Sequence, residues 1–147
     1  MTTIAVHQAL ESPRIDAFRA RIRGEVLLPD DPGYGETRRI WNAMSDRAPA
    51  LIARCTSPDD VVQAVVFARR HHLLVSIRGG GHNIAGHAVC DGGLMIDLSP
   101  MKHVQVDPHT RRASVEPGCI LADVDAATQA QGLATPLSIN SIPAWPA

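Results

Sequence analysis

The sequence has no CxxC pair. Cys55, Cys90 and Cys119 stand far apart, and three thiols leave one odd under any pairing. A disulfide scaffold is excluded, and a reducing cytoplasm is the expected compartment. There is no excess of positive charge: 14 lysines and arginines face 15 acidic residues. The counterion release that drives binding to nucleic acid therefore has no source, and nucleic acid is not an expected partner. Long apolar runs are missing too. The first 23 residues interleave His7, Glu11, Arg14 and Asp16 with their apolar side chains, which breaks the core that a signal peptide needs. Nothing downstream reaches the length of a membrane span, so no membrane partner is expected. Repeats and low-complexity segments are absent.

What is present is ordinary globular material. With 147 residues, 45% hydrophobic and 20% charged, the chain can bury one core, and a soluble α+β domain is the expectation. Ser12-Pro13 opens a short helix with Ile15, Phe18 and Ile22 on one face, ending near Gly24. Residues 28–35 carry two prolines, two glycines and aspartates, which is the chemistry of a connecting loop. Residues 50–55 suit a buried strand. Ser57-Pro58-Asp59-Asp60 then starts a helix whose buried face is expected to be Val61, Val62, Val65, Val66 and Ala68. His71 and His72 end it, where a cation suits the helix dipole.

Residues 73–77 read as a buried strand that stops abruptly at Arg78-Gly79-Gly80-Gly81-His82-Asn83, with Gly86 and Gly92-Gly93 further on. Three more strands follow, at 94–98, 104–107 and 113–116, the last two joined by a turn at Asp107-Pro108-His109-Thr110, and a meander-like sheet is expected from them. Leu121, Val124 and Ala127 mark a final helix over 120–131, closed by Gly132.

The glycine loop carries the chemistry. Consecutive glycines after a strand allow positive φ and let amide N–H groups approach an anion, of which a pyrophosphate is the natural example. A dinucleotide fingerprint would open a helix with GxGxxG, but Asn83-Ile84-Ala85-Gly86 is a poor helix start. A P-loop needs a lysine after its glycines, and none is there. Two roles stay open for Arg78: a guanidinium beside the pyrophosphate, or a strand-end partner of an acidic neighbour. His82, His87 and Cys90 lie close enough in sequence to suggest zinc, but no fourth ligand stands at a companion spacing, and no metal is expected.

The segment Ile77-Arg78-Gly79-Gly80-Gly81-His82-Asn83 resembles the FAD-binding loop of the PCMH-type flavoproteins, in particular the berberine bridge enzyme-like oxidoreductases. Arg47-Ala-Pro-Ala-Leu-Ile and Ser57-Pro-Asp-Asp-Val before it are similar to that family as well. So are Met95-Ile-Asp-Leu-Ser-Pro-Met-Lys and Glu116-Pro-Gly after it, and the likeness runs from about residue 47 to 141. The resemblance implies a PCMH-type FAD-binding domain over 47–147, incomplete at its C-terminus, preceded by an N-terminal helix and connecting loop over 1–46. It implies FAD as cofactor, held by Arg78, Gly79, Gly80, Gly81, His82, Asn83, Gly86 and His87. In the family the histidine of this loop bonds to the 8α carbon of the flavin, and His82 matches it; the alternative for His82 is a noncovalent hydrogen bond. Doubly tethered members add a cysteine at a position that falls near Asn140, so single attachment is expected, with Cys90 and Cys119 as small buried hydrophobes.

Relatives continue into a further glycine-rich segment and a substrate domain that supplies the catalytic base. This sequence instead reads Ile142-Pro-Ala-Trp-Pro-Ala, which reads as a truncated or out-of-frame ending, and none of its residues is assigned a catalytic role. The expected function is the FAD-binding portion of an oxidoreductase that takes a small alcohol, amine or sugar. The alternative is a noncatalytic remnant or binding module.

Overall fold

A computed structural model describes residues 12–136. The expectations for Asn140 and for the tail beyond Ser141 lie outside them. The elements, in chain order, are α1 (Ser12–Arg19), β1 (Glu25–Leu27), α2 (Tyr34–Thr37), β2 (Leu51–Arg54), α3 (Pro58–Arg70), β3 (Val75–Arg78), β4 (Leu94–Asp97), β5 (Val104–Asp107), β6 (Arg112–Val115) and α4 (Leu121–Gln129).

Four strands form one sheet in the order β1-β2-β4-β3, parallel except for β1, which runs antiparallel to β2. The two central strands, Leu-Ile-Ala-Arg and Leu-Met-Ile-Asp, are apolar on both faces because both faces are covered. On one side Leu51, Ala53, Leu94 and Ile96 pack with Ile15, Phe18 and Ile22 near α1 and with Ala64, Phe67 and Ala68 of α3. The rings of Phe18 and Phe67 stack there at 4.3 Å between centroids. On the other side Leu27, Ile52 and Met95 meet Tyr34 and Val89, and the Tyr34 hydroxyl donates to the Pro49 carbonyl at 2.6 Å.

Helix α3 begins where its cap was expected, with the Ser57 hydroxyl accepting from the Asp60 amide at 3.3 Å. Its roll differs from the expected one. Asp60, Ala64, Phe67 and Ala68 face inward, whereas Val62 and Val65 are exposed. The sequence is apolar around most of this helix, so periodicity alone does not fix the inner face. Asp60 does: its carboxylate, 1% exposed, accepts from the amides of Arg23 at 2.8 Å, Gly24 at 3.2 Å and Thr56 at 2.9 Å, and from the Thr56 hydroxyl at 3.0 Å. These bonds pin the helix start to the turn after α1.

Burial by itself would raise the Asp60 pKa, but the hydrogen bonds outweigh it and hold the carboxyl below its ordinary range. The native group therefore protonates at lower pH than the unfolded one. Its stabilisation is complete above the unfolded value of about 3.9 and is lost as pH falls through the native value. Urea midpoints measured between about pH 2 and pH 6 are expected to fall at the acid end, and Asp60→Asn is expected to flatten that fall while lowering stability throughout.

At the helix end, His72 takes a left-handed φ of 51°, and Leu73 N–H donates to the Ala68 carbonyl at 2.9 Å. Burial, then the charges of Arg14 and Arg70, push the His71 pKa down. The cations that face the dipole are therefore Arg69 and Arg70 rather than His71.

Two strand expectations are corrected. β3 is an edge strand, not a buried one: Val75 and Ile77 are exposed, and among the described residues no further strand pairs with this edge. The last three strands form no meander. β4 lies inside the parallel sheet, while β5 and β6 pair only with each other, Val104 opposite Val115. The chain turns away after β4, where Met101 N–H donates to Leu98 and Gly118 N–H to Met101. The hairpin turn is the expected one, with Asp107 accepting from His109 and Thr110. α4 ends in the double hydrogen bond of a Schellman motif, Gly132 to Gln129 and Leu133 to Thr128, with Gly132 at φ 66°.

Candidate functional site

Ligands of open parallel sheets bind beyond the C-terminal ends of the strands. Here β3 runs directly into the glycine loop, residues 79–93, which returns to start β4 beside it. Gly81 and Gly86 each take φ of 74°, which favours glycine. Gly79 and Gly80 do not, so only one of the three consecutive glycines meets the expected backbone requirement.

The reasons for the other glycines differ. A Cβ on Gly79 would lie 2.5 Å from the Pro117 carbonyl oxygen, so the Glu116-Pro117-Gly118 turn seats against the loop. A Cβ on Gly86 would collide with the Ser45 side chain. A Cβ on Gly80 would meet side chains rather than backbone, the His82 imidazole at 3.2 Å and Ile120 Cγ2 at 4.0 Å. The protein's own packing thus demands glycine at 79 and 86 but not at 80. Among the described residues, no acceptor meets the amides of Gly80, Gly81 and His82. Successive backbone N–H groups without a protein acceptor are of the kind that bind anions.

The other expected residues hold this loop in shape. Asn83 bridges a turn, its Oδ1 accepting from His87 N–H at 2.9 Å and its carbonyl from Gly86 N–H at 3.1 Å. His87 enters through that backbone bond. The His82 side chain is exposed at the mouth of the loop.

Arg78 sits in a row of charges that crosses the whole sheet, in the register Glu25, Arg54, Asp97, Arg78. Asp97 is fully buried. It lies 3.6 Å from Arg78 Nη1 and 3.5 Å from Arg54 Nε and accepts from the amide and hydroxyl of Ser99. Arg78 Nη1 also donates to the Thr37 carbonyl at 2.9 Å. Of its two readings, the strand-end partner of an acidic neighbour is realised. Yet Arg78 Nε is buried without a hydrogen-bond partner among the described residues, 3.4 Å from where a Gly81 Cβ would stand.

The contribution of residues 37–47 was missed from the sequence. They lie along the glycine loop like a strap. Trp41 N–H donates to the Gly81 carbonyl at 3.1 Å, Asn42 Nδ2 to Ile84 at 2.9 Å, and Arg47 Nη1 to Gly86 and Val89 at 3.3 and 3.1 Å. A tryptophan in a stretch that otherwise reads as polar loop was the one available signal.

No group of residues able to hold a metal exists among the described residues. Cys90 is buried, takes a hydrogen bond from Ser76 at 3.3 Å and has its pKa raised, chiefly by burial. Cys119, expected to be buried, is only half-buried, its thiol on the His103 carbonyl at 3.6 Å. The turn after β6 leaves it at the edge of the hairpin.

Residues 49–144 match the family described as FAD binding domain. The chain is 40% identical over 113 residues to (R)-6-hydroxynicotine oxidase of Paenarthrobacter nicotinovorans, covering 77% of this chain and 25% of that protein. It is 32% identical over 130 residues to the FAD-linked oxidoreductase pgmH of Aspergillus terreus, covering 86% and 26%. The crystal structure of 6-hydroxy-D-nicotine oxidase from Arthrobacter nicotinovorans superposes with a TM-score of 0.76 at 36% identity, over 84% of this chain and 26% of that one. Carbohydrate oxidase from Microdochium nivale gives 0.70 at 26% identity, over 79% and 25%. These likenesses define the class as PCMH-type flavoproteins. The chain belongs to the FAD-binding domain family of the berberine bridge enzyme-like FAD-linked oxidoreductases, and it spans about a quarter of the length of these relatives.

The glycine loop fits that cofactor: bare amides and a buried Arg78 Nε without a hydrogen-bond partner among the described residues suit a pyrophosphate. Gly80→Ala is therefore expected to leave the thermal midpoint without FAD within about 2 °C of the parent. The same change should weaken FAD binding about tenfold or more, as an added methyl crowds the ligand. Equal FAD affinity in titrations of flavin fluorescence would remove the amide cradle as its binding site.

Proposed function

We propose that the chain is the cofactor-holding part of an oxidoreductase that oxidises a small alcohol, amine or sugar, and that FAD is tethered through His82. The bare amides of Gly80, Gly81 and His82, beside an exposed imidazole, carry this reading. Bound flavin would supply the hydride acceptor, with electrons passing on to dioxygen. Arg78, Gly79, Gly80 and Gly81 hold the pyrophosphate, Asn83, Gly86 and His87 fix the loop, and His82 reaches the flavin ring. The names of the relatives, a nicotine oxidase and a carbohydrate oxidase among them, support small amines and sugars as the substrate class.

Tethering would replace the N–H bond of one His82 imidazole nitrogen with a bond to the 8α carbon, both displaced hydrogens leaving as protons, and bound flavin would supply the two-electron oxidation, with dioxygen as the final acceptor. An imidazole suits this work because one ring nitrogen of its neutral form carries a free lone pair. Purified protein is expected to keep flavin absorbance through acid precipitation. His82→Ala should lose it entirely, while Cys90→Ala and Cys119→Ala keep it. Acid-stable flavin in His82→Ala would falsify the attachment.

A reducing cytoplasm is the compartment we assign. All three thiols are free, and burial, then the charges of Asp60 and Asp97, push the Cys55 thiol up to about 12, which keeps it inert. No helix among the described residues is long and apolar enough to cross a membrane. Recovery of the native protein in a secreted fraction would overturn the assignment.

A further inference from the structure

We propose that Trp41 is a positioning residue for His82, its indole setting the plane in which the imidazole meets the flavin. The inference rests on His82 as the attachment residue. The two rings stack with centroids 5.6 Å apart and 20° between their planes, an offset arrangement that aromatic pairs favour. Trp41 is 48% exposed, so the indole is not there to fill the core.

Its backbone is fixed from both sides. Trp41 N–H is bound to Gly81, Asn42 to Ile84, and the Thr37 carbonyl receives Arg78. With these anchors in place the indole is delivered onto the same loop that carries His82. A lone exposed imidazole turns broadly about its outer torsion, and the indole face selects one orientation and keeps water off one side. Reaction geometry is demanding enough for this to matter, since a misplacement of about 1 Å can cost about 100-fold in rate.

The first test needs no flavin. A ring stacked on an indole feels its ring current, so the His82 imidazole proton resonances, identified by their loss in His82→Gln, are expected to lie upfield in the parent chain and to return downfield in Trp41→Leu. His82 resonances that do not move in Trp41→Leu overturn the stack.

The second test follows the appearance of acid-stable flavin after FAD is added to the full chain. Trp41→Ala is expected to slow it about tenfold or more, with Trp41→Phe restoring most of the rate. The Kd for FAD held noncovalently, read in the His82→Gln background, should change less than about threefold on Trp41→Ala. A Kd that weakens in proportion to the lost rate makes Trp41 a staple of the loop and overturns the positioning role. Attachment at the parent rate in Trp41→Ala overturns it as well. A parent chain that shows the ring-current shift but never forms acid-stable flavin keeps the stack, fails the attachment reading, and overturns the positioning role with it.

Discussion

Replacing Asp97 with alanine is expected to lower the stability of the fold by about 3 kcal/mol, because removing one partner of a buried ion cluster leaves the others uncompensated. Asp97 is fully buried between Arg54 and Arg78, and the Nε atoms of both arginines are already buried without hydrogen-bond partners among the described residues. Taking away the carboxylate would leave two guanidinium groups flanking an apolar gap and would strip the Ser99 amide and hydroxyl of their acceptor. The estimate sits at the low end of the range for buried pairs since both arginine side chains reach water, at 38% and 21% exposure. Asp97→Asn keeps the volume and an acceptor for Ser99 but loses the charge, so its cost should be smaller.

The variant should also separate fold from site. Arg78 ends β3 and begins the glycine loop, so loss of Asp97 frees the residue from which the loop departs. Amide exchange at Trp41, Gly86 and His87, whose N–H groups are hydrogen-bonded to the loop, is expected to rise in Asp97→Asn more than exchange at Ile52 and Met95 in the centre of the sheet. Urea titration gives the stability change, and a loss below about 1 kcal/mol in Asp97→Ala would mean that the row of charges contributes little.

That row also shows where reading the sequence stops. Each of its members ends or begins a short strand, but nothing local announces that Glu25, Arg54, Asp97 and Arg78 fall in one register. Register is decided by pairing between segments up to 43 residues apart in the chain, 97 minus 54, as Arg54 opposite Asp97, and pairing is a property of the assembled sheet. Features with local causes were legible: the Ser57 cap, the glycine loop after β3, the Asp107 turn and the Gly132 stop. The inner face of α3 was not, because valines lie on several sides of it and the deciding group is a carboxylate that binds amides 36 and 37 residues away. The meander expectation failed for a similar reason. Alternating apolar residues identify a strand but not its neighbour, and β4 finds β2 and β3 while β5 finds β6. The site followed the same division. His82 and the glycines could be named from a motif, whereas the strap that fixes them, with Trp41 over His82, depends on how residues 37–47 fold back.

The 147-residue chain supplied with FAD is expected to show no substrate turnover. Hydride transfer needs the donor carbon held against the flavin and a group placed to take the hydroxyl or amine proton, and such placement contributes about 7 to 11 kcal/mol of barrier reduction. The titratable groups near the loop are committed elsewhere. Asp97 is locked between arginines, Asp91 accepts from the Ala48 amide at 2.9 Å, and we assign His82 to the flavin. Asp60 and Asp107 serve a helix start and a hairpin turn. His87 is the exposed titratable side chain of the loop without such a commitment, and because the chain spans about a quarter of its relatives the base is expected from outside the described residues. The measurement adds FAD to purified protein, screens alcohols, amines and sugars, and follows flavin bleaching without air and peroxide formation in air. FAD binding with no bleaching is the expected result. Substrate-dependent turnover above about 1 per second, an ordinary enzyme rate, would show that the loop and its strap already contain a proton acceptor, with His87 the first residue to replace in looking for it.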